Sequence, residues 1–239
     1  MNKIVDGVKQ ISADIVGLQE VDKHLLESFV PEFKALGYQL LSYEFDEKPY
    51  CNLILSRYPA SKVSRWKRDC AFPDLLSLAR IKIRQREVNF FNCHIPNGSK
   101  HRFKKIRTID ALLKKLRRTK GKARIVVGDF NEPRSESGKE IESWAYKTSA
   151  SPSPTKEEKC HWKNTVNELF KGEQQHGMKD IHGYKAGAFS YIRGRTPCRY
   201  DHIFGSDHFK DSSCEYLHRF REKKVSDHSP LVTELNFLS

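Results

Sequence analysis

Apolar positions Ile4, Val5, Val8 and Ile11 recur at helical spacing, so the chain is expected to open on an amphipathic helix. The run "DIVGLQEV" then reads as a short buried strand ending at Glu20. Residues 23–36 return to helical spacing, with Leu25, Leu26, Phe29, Phe33 and Leu36 on one face. "YQLLSYEF", "CNLILSRYP", "LARIKIR" and "VNFFNCHIP" follow as strands. "LARIKIR" alternates Ile81 and Ile83 against Arg80, Lys82 and Arg84, the period of a half-exposed strand. Ile106, Ile109, Leu112, Leu113 and Leu116 draw an apolar stripe along a basic helix, and "RIVVGDFN" is the next strand. Residues 133–160, which include "SASPSPT", read as a loop or insertion, because strands resume in "RYDHIFGS" and "SPLVTELNFL". Strands succeeding one another with only occasional helices predict packed sheets flanked by helices, not a regular βαβ alternation.

The chain has 239 residues, 38% of them apolar, enough for one large globular domain or two small ones. No apolar run approaches the roughly 20 residues of a membrane span, and charges interrupt the N-terminal apolar stretch, unlike a signal peptide. Six cysteines without any CxxC pairing fit reduced thiols, not a disulfide scaffold or a zinc site. An intracellular protein, cytoplasmic or nuclear, is expected. The formal net charge is +13. Between Lys100 and Arg124 stand twelve Lys and Arg against a single acid, Asp110. Nucleic acid and an anionic membrane surface are both suitable partners for such a segment. For a charge run alone, a solvated helix face is the simpler reading.

Polar residues cluster where the strands end. Glu20 ends "DIVGLQE", Asn52 precedes "LILS", and His94 and Asn97 close "FFNCHIPN". Asp129 and Asn131 close "VVGDFN", Asp201 and His202 open "DHIF", and Asp227 and His228 precede "SPLVTEL". Taken singly, each is an ordinary turn former, cap or satisfied structural histidine. Together they are what a site built on rigid strand ends requires.

The segments "DIVGLQEV", "NLILSRYP", "CHIPNGS", "IVVGDFNEP", "RYDHIFGS" and "SDHSPL", in this order, resemble the endonuclease/exonuclease/phosphatase superfamily. That group holds exonuclease III-like abasic endonucleases, DNase I-like nucleases, inositol-polyphosphate 5-phosphatases and neutral sphingomyelinases. The resemblance runs from about residue 12 to the C-terminus and implies one domain over 1–239. It implies a four-layer α/β sandwich, two mostly antiparallel sheets face to face with helices outside. It also implies hydrolysis of phosphate esters with Mg²⁺, for which Mn²⁺ is a substitute. By position, Glu20 and Asp227 correspond to metal-binding carboxylates, and Asp129 to the aspartate that activates the attacking water. Asn131 corresponds to the asparagine holding water and phosphate, and His228 to the histidine on the scissile phosphate, oriented by Asp201. His94 stands where relatives carry Tyr or His near the leaving group. A histidine there is the readier acid at neutral pH. The family normally begins with a strand ending in a "WN"-type asparagine; here no equivalent strand precedes the first helix, which is expected to weaken the site.

"PNGS" follows the nuclease version of its loop, so Asn97, Lys100 and Arg102 are expected to bind substrate, with Lys104 and Lys105 meeting flanking phosphates. Phe189, Tyr191 and Trp162 are candidates for base stacking, though such aromatics are more often core. The expectation is a monomeric, Mg²⁺-dependent nuclease. The alternatives are an inositol-phosphate or phosphoinositide phosphatase and a nucleic-acid-binding pseudoenzyme.

Overall fold

The computed structural model describes residues 3–43, 49–63, 70–137, 140–144 and 154–238. In chain order come α1 (Lys3–Ile11), β1 (Ile15–Asp22), α2 (Lys23–Ala35), β2 (Gln39–Tyr43), β3 (Tyr50–Ser56), β4 (Ala60–Lys62), β5 (Leu76–Ile83) and β6 (Arg86–His94). Next are α3 (Gly98–His101), α4 (Phe103–Arg118), β7 (Arg124–Asp129), β8 (Ser135–Ser137), β9 (Glu140–Glu142), α5 (Lys156–Lys171) and α6 (Glu173–His176). The chain closes with β10 (Met178–Asp180), β11 (Tyr191–Arg193), β12 (Thr196–Cys198), β13 (Asp201–Ser206), β14 (Phe209–Tyr216), α7 (His218–Glu222) and β15 (Leu231–Phe237).

One sheet has six strands in the order β10-β13-β7-β6-β5-β4, antiparallel except where β6 and β7 run parallel. On one face, Leu78, Phe91, Val126 and Phe204 meet the α4 stripe and Trp162, Val166 and Leu169 of α5. On the other, Ile81, Phe90, Ile125 and Ile203 meet Leu41 and Ile54 of the sheet β1-β3-β2 and Leu231, Leu235 and Phe237 of β15. Helices α1 and α2 cover the far side of that second sheet through Val5, Val8, Leu26, Phe29 and Phe33. The order of layers is therefore helix, sheet, sheet, helix: the four-layer sandwich expected. The second layer comes in two pieces, because among the described residues no ladder joins β1 to the β14–β15 hairpin.

The strong apolar periods all became the elements they predict. The polar 133–160 stretch is a correction in detail. It contains the β8–β9 hairpin and ends in the first turn of α5, and residues 138–139 and 145–153 lie outside the described residues. Its strands, "SES" and "EIE", are too short and polar to show a period. The α5 start was readable, because Thr155 and Glu158 form a capping box. Among the described residues no helix is long and apolar enough to cross a membrane.

Two glycines are required by close approach. A Cβ on Gly17 would meet Val127 Cγ2 at 2.7 Å and Asn92 Oδ1 at 2.9 Å, where the sheets touch. Gly128 has φ +136°, and a Cβ there would lie 1.8 Å from the Cys93 carbonyl oxygen of the neighbouring strand. Gly128→Ala is expected to destabilise the fold by more than about 3 kcal/mol, read by chemical denaturation.

Candidate active site

Strand register builds the site. In the parallel β6–β7 pair His94 stands opposite Asp129, and in the antiparallel β13–β7 pair Asp201 stands opposite Asp129. Three neighbouring strands thus bring His94, Asp129 and Asp201 into one row at one edge of the sheet. Glu20 reaches the row from the facing sheet. It sits at the irregularity in β1 between Leu18 and Val21, with a left-handed φ of 54°, and its carboxylate is 67% exposed, 3.5 Å from His94 Nε2. A bulge of this kind re-aims a side chain that regular pleating would direct elsewhere.

His94 Nε2 is also 3.9 Å from Asp129 Oδ2, so one imidazole stands between two carboxylates. Asp129 accepts from the Asn131 backbone N–H at 2.7 Å and from Asn131 Nδ2 at 2.9 Å. Asn131 Nδ2 donates in addition to the Ile95 carbonyl at 3.0 Å. Burial pushes the Asp129 carboxyl up to about 6, and the nearby Asp201 charge adds to this, while His94, His228 and the Asn131 amide oppose it.

His228, in the loop before β15, places Nδ1 2.6 Å from Asp201 Oδ2. Burial disfavours the imidazolium, but the bond to Asp201 and its charge, aided by Asp129 and Asp227, overcome that and hold His228 at about 9. Asp201 is braced in turn. Its N–H donates to Ser190 Oγ at 3.0 Å, and its carbonyl accepts from Tyr216 Oη at 2.6 Å. The Ser190 carbonyl accepts from Ser229 N at 2.8 Å, tying down the residue after His228. Tyr191 stacks on His228 with centroids 4.6 Å apart. Below the row, Asn92 bridges the sheets, donating to the Leu18 carbonyl at 2.9 Å and accepting from Gln19 Nε2 at 2.5 Å.

Glu20, His94, Asp129, Asn131, Asp201 and His228 therefore converge. Asp227 is exposed beside His228, and its charge is felt there. Asn97 is exposed, its carbonyl accepting the first hydrogen bond of α3. Lys100 is exposed in α3, and Arg102, partly buried, links α3 to α4 with φ 50°. Asn52 is a structural residue, donating to the Leu75 carbonyl at 3.0 Å. His202 faces inward, with Nε2 2.9 Å from the Glu132 carbonyl oxygen.

Two expectations are corrected. Lys105 is completely buried, 3.1 Å from Glu132 Oε1, and so does not reach flanking phosphates. Most of the basic run also leads away from the site. Helix α4 starts beside Asn131 and ends where the buried Arg124 at the start of β7 donates to the Leu116 carbonyl at 2.6 Å. The stacking candidates are engaged within the fold. Trp162 is buried, Phe189 stacks on His218, and Tyr191 lies against both His228 and Tyr200.

Among the described residues no three His, Cys, Asp or Glu side chains are grouped to hold a metal ion by themselves. Mg²⁺ seldom requires that, because one or two carboxylates complemented by waters and substrate phosphate suffice. The open Glu20 carboxylate beside the row has the right chemistry.

The model of the endonuclease/exonuclease/phosphatase family matches residues 1–228. The chain belongs to this family. A search by sequence against curated proteins finds no match. Among solved structures, this family member is similar to a humanized TDP2 from D. rerio, with 14% identity over 98% of this chain and 89% of that one and a TM-score of 0.68. An AP endonuclease from Archaeoglobus fulgidus gives 19% identity, 98% and 92% coverage and a TM-score of 0.66. The 3′ phosphatase NExo from Neisseria, bound to a product DNA hairpin, gives 18%, 98% and 93%, and 0.64. At these identities the likeness establishes the DNase I-like fold.

Proposed function

We propose that the protein is a Mg²⁺-dependent phosphodiester hydrolase acting on nucleic acid. The observation that carries this reading is the row His94–Asp129–Asp201 with His228 hydrogen-bonded to Asp201. It brings two carboxylates and two imidazoles side by side, candidates for a general base, an acid and a cation. The NExo complex with product DNA supports the choice of substrate class.

Asp129, ionised above pH about 6, accepts the proton of the attacking water. Asn131 spends both Nδ2 hydrogens on Asp129 and Ile95, so its free Oδ1 is an acceptor. That oxygen suits it to orient the water, not to bind an anionic phosphate. The His228 imidazolium, pinned through Nδ1, offers Nε2–H to the charge developing on phosphorus. His94, between Glu20 and Asp129, is the candidate acid for the leaving oxygen. Glu20, with Asp227 as the second carboxylate, would hold the metal, which supplies charge neutralisation at the phosphate when bound.

Lys100 and Arg102 supply cations on the α3 side. The Arg193 guanidinium lies over the Trp144 ring at 4.2 Å, and Arg134 lies over it at 5.5 Å. Trp144 is fixed to the catalytic strand end by its N–H, 3.3 Å from Glu132 Oε2. Arg193 is exposed and at the tip of the β11–β12 hairpin. Arg193→Ala is expected to weaken binding of a fluorescent oligonucleotide in EDTA and to lower the slope of log K against log salt by about one.

The assay that tests the function compares plasmid DNA, an abasic oligonucleotide and a phosphoinositide, each with Mg²⁺ or EDTA. DNA cleavage abolished by EDTA is expected. Phosphate release from the phosphoinositide alone would assign the site to a lipid or inositol phosphate, and tight DNA binding without turnover would make the protein a pseudoenzyme.

A further inference from the structure

Behind the catalytic strand end lies an ion pair that the reaction does not touch. The Lys105 and Glu132 side chains are both completely buried, with Nζ 3.1 Å from Oε1. Lys105 Nζ also donates to the backbone carbonyl of Asn131 at 2.7 Å. Glu132 accepts further from Trp162 Nε1 at 3.1 Å, Ser143 Oγ at 3.3 Å and the Trp144 N–H at 3.3 Å. Its own carbonyl is held by His202 Nε2. The carbonyls of Asn131 and Glu132 are thus both gripped from inside by buried side chains, one from α4 and one from β13.

Asn131 needs that grip. Its φ is 50°, a left-handed conformation that costs a non-glycine residue free energy. In this conformation its N–H and Nδ2 both reach the Asp129 carboxylate. A buried lysine and glutamate are a poor choice for stability alone, because desolvating two charges offsets most of their attraction and apolar side chains of like size commonly do as well. Their presence directly behind the water-binding pair has a geometric explanation. Lys105 is long enough to reach from α4 to the Asn131 carbonyl; burial pulls its ammonium below the usual lysine range, and the charge and hydrogen bond of Glu132 oppose that shift.

We propose that Lys105 is a positioning residue for hydrolysis, holding Asn131 in the left-handed conformation that aligns Asp129 and the attacking water, with Glu132 as its buried counter-charge. The proposal rests on the phosphodiesterase reading of the site. Its test uses Lys105→Met, Glu132→Gln and the double variant, assayed on bis(p-nitrophenyl) phosphate with Mg²⁺ well below every melting temperature. Both single variants leave one buried charge unpaired and melt lower. The neutral double variant recovers most of that loss. Catalysis is expected to follow the Lys105 bond instead. Lys105→Met and the double variant lose about 10–100-fold in kcat with KM within about two-fold, while Glu132→Gln, which retains the Lys105 donor, loses only a few-fold. Amide hydrogen exchange in peptides spanning 129–132 rises in both Lys105→Met proteins and not in the strand cores. If kcat instead follows melting temperature across the three variants, Lys105 is merely structural and the proposal fails. If the wild-type protein shows no turnover, the functional reading fails by itself. The exchange arm then decides: raised local exchange at 129–132 supports the positioning role, and unchanged exchange overturns it.

Discussion

Asp129→Asn is expected to move activity and stability in opposite directions. Turnover falls by about 10²–10⁴-fold, the contribution of a positioned general base, while the metal-free protein at pH 7.5 becomes more stable. The second effect follows from the raised carboxyl, displaced from 3.8 to about 6 chiefly by burial. Because the folded-state value lies above the unfolded one, the protonated form stabilises the fold. That stabilisation is complete below pH about 4 and disappears as pH rises through 6. At neutral pH the wild-type protein therefore carries a burden of up to about 3 kcal/mol for keeping Asp129 ionised. Asparagine removes the charge but surrenders one of the two hydrogen bonds accepted from Asn131, worth about 1 kcal/mol. A net gain of about 1–2 kcal/mol is expected in denaturant melts with EDTA, vanishing below pH 4. With Mg²⁺ bound, the cation's charge favours the ionised carboxylate, so the wild-type activity should rise with pH at or below about 6. An activity loss accompanied by a lower melting temperature would show that Asp129 supports the fold and is not strained for its function.

Arg199→Ala is expected to give the largest loss of stability, about 3–5 kcal/mol, the cost of breaking a buried pair by removing one partner. The guanidinium sits behind the site, donating through Nε and Nη2 to Glu136, both at 2.6 Å, and through Nη1 to Asp180 at 2.7 Å. Its side chain is only 4% exposed. The fork joins β12–β13 to the β8–β9 hairpin and β10, so the alanine protein leaves Glu136 without this guanidinium and Asp180 with only His202, 3.4 Å away. Burial works against ionised Asp180, yet the hydrogen bond and charge of His202, with Arg199, hold it well below the usual carboxylate range. A depressed carboxylate contributes stability above its unfolded value near 4, lost only as pH falls through its folded value. In Arg199→Ala that relation reverses, because orphaned carboxylates prefer a proton. The deficit against wild type should shrink between pH 7 and pH 5 in urea melts. A deficit under about 1 kcal/mol at pH 7, or one independent of pH, would mean that water replaces the guanidinium without loss.

The sheet order and the site were unequally legible in the sequence. Strands buried on both faces, such as "NLILS" and "RIVV", announce themselves by continuous apolar runs, and α4 by its stripe, because the solvent boundary writes a period into them. The hairpin β11–β12 and strand β10 are three residues each and polar or mixed, so no period forms. Asp129, Asp201, His94 and His228 stood out as polar groups at strand ends. What no linear pattern contains is register, which alone puts the first three in a row. The same limit hid the braces. Ser190, Tyr216, Asn92 and Lys105 act across 11 to 74 residues of chain, and nothing local marks a serine or a lysine as internal. Lys105 was the most misleading, since a lysine within a basic run is ordinarily a surface charge. Its burial is explained only by Glu132, 27 residues further on, and Trp162 beyond it.

On the proposed reading this row hydrolyses nucleic-acid phosphodiesters through Asp129. The most direct measurement is the initial rate of cleavage of an end-labelled oligonucleotide by the wild-type and Asp129→Asn proteins at pH 7.5 in Mg²⁺. Cleavage by the wild type, reduced at least about 100-fold in the variant, is the predicted result. Equal rates from the two proteins, or a wild-type protein that binds the oligonucleotide and leaves it intact, would contradict it.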